Sequence, residues 1–273
     1  MDGVPACPAG GLDGEARDRG TGVTPDRCYA DRVDTSARPS WRANPDYVDE
    51  GHRRVFAETK GIPGWQAVED TYKLYEMAYF AGDVILELGV YGGRSAVVEL
   101  KGALSNPRRA HRPQFFGLDL DPAAIKRSYD SLAAFGVAEH ALLYQGSVAE
   151  FSERFSIQPT MVFVDADHRY EGVKQDLDAL SRMLASGVPV LCHDYRNAEN
   201  DTGEYGVRRA AAEWESSGDV RFCGAFGCAA LFVTTARCRG RAVPRMDDQA
   251  FVRLRASLLR SYGVLPPAPV TDD

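Results

Sequence analysis

Between residues 83 and 233 the chain alternates two hydrophobic patterns. Short, largely apolar runs, of which the fourth lacks alternation as expected of a strand buried on both faces, are separated by longer stretches whose apolar positions recur at helical spacing. Asp83 to Leu88, Gln114 to Asp119, Ala141 to Gln145, Thr160 to Val164 and Val188 to Cys192 read as strands. The intervening helices are expected from about Gly93 to Ala103, from Pro122 to Gly136 with Ile125, Tyr129, Leu132 and Phe135 on one face, and from Val148 to Phe155. A further helix follows Tyr170, with Val173, Leu177, Leu180 and Leu184 in line, and stops near Gly187. After a helix from Gly206 to Trp214 come two strand-like runs, Val220 to Phe226 and Cys228 to Val233, around Gly227. No crossover helix fits between them, so they must be antiparallel. Five strand-helix units closed by an antiparallel pair predict an α/β, doubly wound sheet of seven strands, one of them reversed, with helices on both faces. Ligands in such sheets bind outside the carboxyl ends of the strands.

The flanks read differently. Residues 1 to about 45 are rich in Gly, Pro, Asp and Arg without apolar periodicity and are expected to form a mobile tail, because they cannot bury enough surface to offset the entropy of ordering. A helical pattern runs from Pro45 to Lys60, breaks at Gly61-Ile62-Pro63-Gly64, and resumes with Leu74, Met77, Ala78 and Ala81 before Gly82. The expected organisation is thus a tail (1–45), a helical cap (46–81), a core (82–235) and a C-terminal extension (236–273). That extension carries one amphipathic helix with Phe251, Leu254, Leu258 and Tyr262, whose apolar face is available to its own domain or to a second subunit of a homo-oligomer.

Composition narrows the function. A formal net charge of -7 argues against a phosphate backbone as partner, so no nucleic acid is expected. No apolar run approaches the ~18 residues of a membrane span, and the first residues lack the basic and apolar regions of a secretory signal. A soluble, cytoplasmic protein with a small-molecule partner is expected. The six cysteines, at positions 7, 28, 192, 223, 228 and 238, form no CxxC pair and no zinc-like cluster, which points to reduced thiols, with Cys192, Cys223 and Cys228 in strand-like runs.

Chemistry-bearing residues collect at the predicted strand ends. Gly89, Gly92 and Gly93 allow a tight turn and close approach of a ligand, and the next helix offers its amide groups to an anion. The run does not spell GxGxxG, which disfavours a nicotinamide-dependent oxidoreductase. Asp119 can accept both hydroxyls of a ribose; the alternative is a cap for the helix at Pro122, for which Asp121 is nearer. Ser147 can meet a base edge, cap its helix, or both. Asp165, Asp167 and His168 close the fourth strand, and His193 and Asp194 close the fifth. Acids and imidazoles gathered at neighbouring strand ends suit a general base or a hard divalent cation.

The stretch Leu86-Glu87-Leu88-Gly89-Val90-Tyr91-Gly92-Gly93-Arg94-Ser95 resembles the first motif of class I S-adenosylmethionine-dependent O-methyltransferases of the catechol and caffeoyl-coenzyme A type. Phe163-Val164-Asp165-Ala166-Asp167 is similar to the same group. The continuation His168 to Val173, with His193-Asp194-Tyr195 and Gly206-Val207-Arg208-Arg209, resembles the bacterial natural-product branch that includes macrocin O-methyltransferase-like enzymes of macrolide sugars. The resemblance implies a Rossmann-like fold, S-adenosyl-L-methionine as cofactor, and O-methylation of a sugar, polyketide or similar natural product, as in antibiotic biosynthesis. It implies that Gly89, Tyr91, Gly93 and Ser95 hold the methionine end, with the Ser95 hydroxyl facing its carboxylate and Tyr91 walling the methyl group. Glu87 would orient the loop, Asp119 take the ribose, Ser147 lie beside the adenine, and Asp165 sit at the reacting centre. Metal-using relatives bind Mg2+ at the position of Asp165 and at two further positions that here are His193 and Asp194. Because imidazole suits magnesium poorly, two mechanisms stand: a magnesium ion held by Asp165 and Asp194, or a metal-free site in which His193 removes the acceptor proton, the latter favoured. A binding scaffold that has lost catalysis is the non-enzyme alternative.

Overall fold

A computed structural model describes residues 41, 48–241 and 243–266. The elements run α1 (Glu50–Thr59), α2 (Val68–Ala81), β1 (Val84–Leu88), α3 (Arg94–Leu104), β2 (Gln114–Asp119), α4 (Pro122–Ala134), β3 (Ala141–Gln145), α5 (Val148–Arg154) and β4 (Met161–Val164). They continue through α6 (Tyr170–Met183), β5 (Pro189–Cys192), α7 (Glu199–Thr202), α8 (Val207–Ser216), β6 (Val220–Phe226), β7 (Ala229–Thr234) and α9 (Asp248–Ser261). The expected mobile tail falls, but for Trp41, outside the described residues.

One seven-stranded sheet has the order β3-β2-β1-β4-β5-β7-β6. The first five strands in that order are parallel, and β7 runs antiparallel to both β5 and β6, so it is the reversed strand. Order reverses between β1 and β4, where the chain leaves one half of the sheet for the other, and their carboxyl ends form a crevice.

Alternation along each strand divides the interior into two cores. In β2, Phe115 joins Leu74, Met77, Val97, Ile125 and Phe163 beneath α2, α3 and α4, while Phe116 joins Phe151, Val173, Leu177, Trp214 and Phe251 on the opposite face. These side chains are at most 4 % exposed. Helix α2 is therefore a structural layer of the sheet, laid along α3, as well as part of the cap.

The amphipathic helix α9 packs on its own domain. Phe251 meets Phe116 edge to face at 5.5 Å, Arg255 Nε donates to the carbonyls of Ala138 and Ala141 at 2.9 Å each, and the Tyr262 hydroxyl accepts the Gln145 N–H at 3.1 Å. It thus covers the outer edge of β3, whose unpaired backbone groups would otherwise be exposed. Two boundaries differ from expectation: the loop 195–205 contains α7, and Cys228 lies in the turn before β7 rather than in a strand. Cys192, Cys223 and Cys238 carry thiols outside any disulfide, and among the described residues no helix is long and apolar enough to cross a membrane.

Candidate functional site

The carboxyl ends of β1 to β5 enclose a cavity of about 860 Å³. The turn after β1 is shaped by close backbone contact. Gly89 has φ +87, its N–H donates to the Leu118 carbonyl at 2.8 Å, and a Cβ there would lie 2.0 Å from the Asp165 carbonyl oxygen. A missing side chain here lets the β1 and β4 loops touch; Gly92 meets the Pro63 carbonyl in the same way, and Gly93 (φ +80) abuts Ser128. The glycines expected to admit a ligand thus first admit other parts of the chain.

Tyr91 stands in the left-handed region with φ +39, uncommon for a residue with a side chain. Its N–H donates to Asp119 Oδ2 at 3.0 Å, while Asp119 Oδ1 accepts the Asp121 N–H at 2.9 Å. Asp121 caps α4 through Ala123 N–H at 2.8 Å, so Asp119 is not that helix's cap. Each Asp119 oxygen keeps a lone pair for the cavity it lines. The Tyr91 ring, 57 % exposed, stands at the cavity mouth with the Arg127 guanidinium 5.1 Å over it.

Ser95 and Glu87 interact with each other. The Ser95 hydroxyl donates to Glu87 Oε1 in a short hydrogen bond, so its proton is engaged beneath α3 although the residue lines the cavity. Glu87 is fully buried beside Glu99; burial, opposed by Ser95 and reinforced by the Asp165 charge, pushes the Glu87 carboxyl up to about 8, and Glu99 is raised as well. Ser147 caps α5: its N–H and hydroxyl donate to Glu150 Oε2 at 2.9 and 3.0 Å, and its oxygen accepts the Glu150 N–H at 3.2 Å.

The other end of the cavity holds an ion-paired cluster. His193 Nδ1 lies 3.1 Å from Asp165 Oδ1 and 3.2 Å from Asp194 Oδ2, and its Nε2 lies 3.5 Å from Asp70 Oδ2. His168 Nε2 lies 3.0 Å from Asp194 Oδ2 and 3.5 Å from Asp165 Oδ1. Asp194 has φ +55, and its Oδ1 accepts the Asn197 amide at 2.9 Å. Burial alone would depress both imidazoles, but the surrounding carboxylates outweigh it: His193 is raised well above its ordinary range and His168 to about 9. Asp165 and Asp194 are correspondingly held low by the two rings, against the effect of burial.

Both imidazoles line the cavity, and His193 is the more enclosed of the two. Both its ring nitrogens face carboxylates and the residue is 4 % exposed, whereas the His168 side chain is 35 % exposed, lines the cavity and stacks on Tyr205 at 4.6 Å. Among the described residues, the donor atoms of Asp165, His168 and Asp194 lie close enough together to hold a metal ion. The set mixes two carboxylates with an imidazole and is already matched by two cationic rings, a poor fit for magnesium, which takes oxygen ligands.

Two contributors escape sequence reasoning. Asp70, on the first turn of α2, is wholly buried; its Oδ2 accepts the Ala67 N–H at 3.1 Å, and its Oδ1 accepts those of Cys228 and Ala229 at 3.0 and 3.1 Å. An acid in a helix's first turn is ordinary, and nothing in the sequence connects it to a hairpin 158 residues away. The loop 61–66 is the second. Arg94 Nη1 donates to the Gly64 carbonyl at 3.1 Å, and the Trp65 ring stands 5.5 Å from that of His193, so the loop roofs the cavity.

The strand order and the cavity at the strands' carboxyl ends form a Rossmann-like architecture. The family model described as a methyltransferase domain matches residues 86–195, the span from Glu87 to Asp194 that contains most of the cavity wall. Three solved structures share the architecture. TomG, an O-methyltransferase from Streptomyces achromogenes involved in tomaymycin synthesis and solved with S-adenosylmethionine, is 18% identical with a TM-score of 0.52, over 69% of this chain and 91% of that one. An O-methyltransferase from Bacillus cereus, in complex with S-adenosylhomocysteine, is 13% identical with a TM-score of 0.53, over 70% of this chain and 93% of that one. The S-adenosylhomocysteine-bound methyltransferase PaMTH1 of Podospora anserina is 16% identical with a TM-score of 0.54, over 69% of this chain and 88% of that one.

Proposed function

We propose that the protein transfers the methyl group of S-adenosylmethionine to a hydroxyl of a small-molecule natural product. The observation that carries this reading is one continuous cavity joining a nucleoside end, at Asp119 and Gly146 to Val148, to an acid-imidazole end at Asp165, His168 and Asp194. The role of TomG in tomaymycin synthesis supports the natural-product assignment. Asp119 accepts the ribose hydroxyls, the amides at the start of α3 receive the methionine carboxylate, and Trp65 and Tyr205 wall the acceptor.

The bound cofactor supplies a sulfonium methyl that needs no further activation. What remains for the protein is to hold the acceptor oxygen in line and take its proton. His168 takes that proton, because its Nε2 is turned to Asp194, which leaves Nδ1 for the acceptor hydroxyl. A sulfonium cation in the same cavity opposes the charge on this ring and pushes it toward the neutral form that can accept a proton. His193 stays fixed between Asp165 and Asp70 and keeps those carboxylates in place. The reaction on this reading needs no metal.

The test is methyl transfer from labelled S-adenosylmethionine to a panel of hydroxylated sugars, polyketides and phenols. His168→Ala should lower turnover at least a hundredfold, within the range of general-base contributions, while cofactor affinity changes little. Loss of activity in EDTA with recovery in magnesium would overturn the metal-free mechanism. Binding of NAD without S-adenosylmethionine would overturn the whole reading.

A further inference from the structure

We propose that Tyr205 is a positioning residue for the proton transfer: its ring fixes the plane of the His168 imidazole and so aims Nδ1 at the acceptor hydroxyl. This rests on His168 being the base, as proposed above. Few other contacts hold that ring. The two carboxylates beside it, Asp194 at 3.0 Å and Asp165 at 3.5 Å, both face the same nitrogen, Nε2. Rotamer preference does not supply a second constraint, because rotation about the Cβ–Cγ bond of histidine is broad and roughly two-fold. The ion pairs choose between the two flips, since turning the ring over would carry Nε2 away from Asp194. They leave the plane of the ring free to rock, and the side chain is partly exposed, so enclosure does not stop it. A rocking base spends only part of its time in a reactive geometry.

The missing constraint is the Tyr205 ring. It lies nearly parallel to the imidazole, 12° apart with centroids at 4.6 Å, so that rocking of either plane costs face-to-face contact. His193 offers the contrast: its two nitrogens are held by carboxylates, and its ring neighbours Trp65 and Phe163 are inclined to it by 53° and 69°. The backbones that carry Tyr205 and His168 are joined, so the stack does not depend on two mobile side chains finding each other. Gly206 N–H donates to the His168 carbonyl at 2.7 Å, and Tyr205 N–H donates to the Glu199 carbonyl of α7 at 3.1 Å. A Cβ on Gly206 would lie 2.3 Å from Tyr170 Cα, which shows how closely the chain after Tyr205 is pressed against the turn after His168. The tyrosine hydroxyl takes no part in a face-to-face contact, so the role belongs to the ring and phenylalanine can fill it.

The experiment is steady-state methyl transfer by the full chain to the panel acceptor that the wild type methylates fastest. It compares Tyr205→Leu, Tyr205→Phe, His168→Ala and the double variant Tyr205→Leu with His168→Ala. Leucine fills most of the space but offers no flat face. At saturating acceptor, Tyr205→Leu should lower kcat about tenfold, within the cost of a small misplacement of a reacting group, and Tyr205→Phe should recover most of that loss. In the His168→Ala background the same change should lower kcat by less than about twofold, the non-additivity of residues that act through one contact. Nuclear magnetic resonance reads the stack directly: the His168 ring protons, assigned by their loss in His168→Ala, should move downfield in Tyr205→Leu, because the tyrosine face shields protons lying over it. A loss confined to the acceptor KM, an equal loss of kcat with and without His168, or unmoved ring protons would each overturn the inference and leave Tyr205 as a wall of the acceptor. A fall in S-adenosylhomocysteine affinity that matches the fall in kcat overturns it as well, since Tyr205 then supports the whole site. If His168→Ala keeps wild-type turnover, or the wild type methylates no member of the panel, the reading of His168 as the base falls and this inference with it.

Discussion

Removing the Asp70 carboxylate tests whether the acid-imidazole end of the cavity is held together across the whole chain. Asp70→Ala leaves the N–H groups of Ala67, Cys228 and Ala229 without their acceptor in a site from which water is excluded. An unsatisfied buried donor costs about 1–3 kcal/mol, so three cost about 3–9 kcal/mol against a total stability of about 5–15 kcal/mol. Asp70→Asn is the informative contrast. With its oxygen in place of Oδ1 it keeps the hairpin bonds to Cys228 and Ala229 and loses the bond from Ala67, a cost of about 1–3 kcal/mol, together with the negative charge that faces His193 Nε2. The Gly227 turn, at φ +63, is seated against the carboxylate, since a Cβ there would lie 2.4 Å from Asp70 Oδ1. Urea unfolding followed by circular dichroism measures both losses. A change below about 1 kcal/mol for Asp70→Ala, or equal losses for the two variants, would refute the reasoning that these bonds fix the hairpin to α2.

Other outcomes follow from the same geometry. Gly89→Ala puts a Cβ 2.0 Å from the Asp165 carbonyl at a φ of +87, and should abolish S-adenosylhomocysteine binding in calorimetry and lower the melting temperature by several degrees; near-normal affinity would show that the β1 and β4 loops separate freely. Glu87, raised to about 8 in the fold, contributes stability that is complete below the ordinary carboxylate value of about 4.3 and is lost as pH rises toward 8, so a melting-temperature profile should slope downward over that window and flatten in Glu87→Gln. Parallel profiles would contradict a proton on the buried pair. His168, raised to about 9, extends the decline from about pH 6.5 to 9, whereas Asp165 and Asp194, held low, withdraw their stabilisation on acidification below about pH 3.9; loss of the alkaline portion in His168→Gln is the expected signature. Phe251→Ala should cost about 3–5 kcal/mol in urea unfolding by emptying the contact with Phe116, and a negligible loss would mean that α9 does not close the second core.

Much of this molecule is legible along the chain because its determinants are local. Strands β1, β2 and β3 fall within a residue of where short, largely apolar runs place them, since a strand buried on both faces is apolar over most of its length. The reversed strand follows from the lack of any crossover length between Phe226 and Ala229. Asp119, Asp165, His193 and Asp194 are identifiable as cavity-lining residues because each falls at a strand end, where such sheets open a crevice.

Their division of labour is not legible. His168 and His193 have similar local surroundings in sequence, an imidazole beside an aspartate, and both line the cavity, yet the His168 side chain is 35 % exposed while that of His193 is held between Asp165 and Asp70. Ser95 and Ser147 each look available to a cofactor, and each spends its hydroxyl within the fold, on Glu87 and on Glu150. Local pattern determined the alternation of strands and helices, the reversed β7 and the set of chemical groups at the strand ends, because periodicity and connection length act over a few residues. Tertiary structure alone decided which of those groups remain free, because a hydrogen bond to Glu87, an aspartate on α2 or a tyrosine ring laid on His168 depends on which surfaces meet once the two cores are packed.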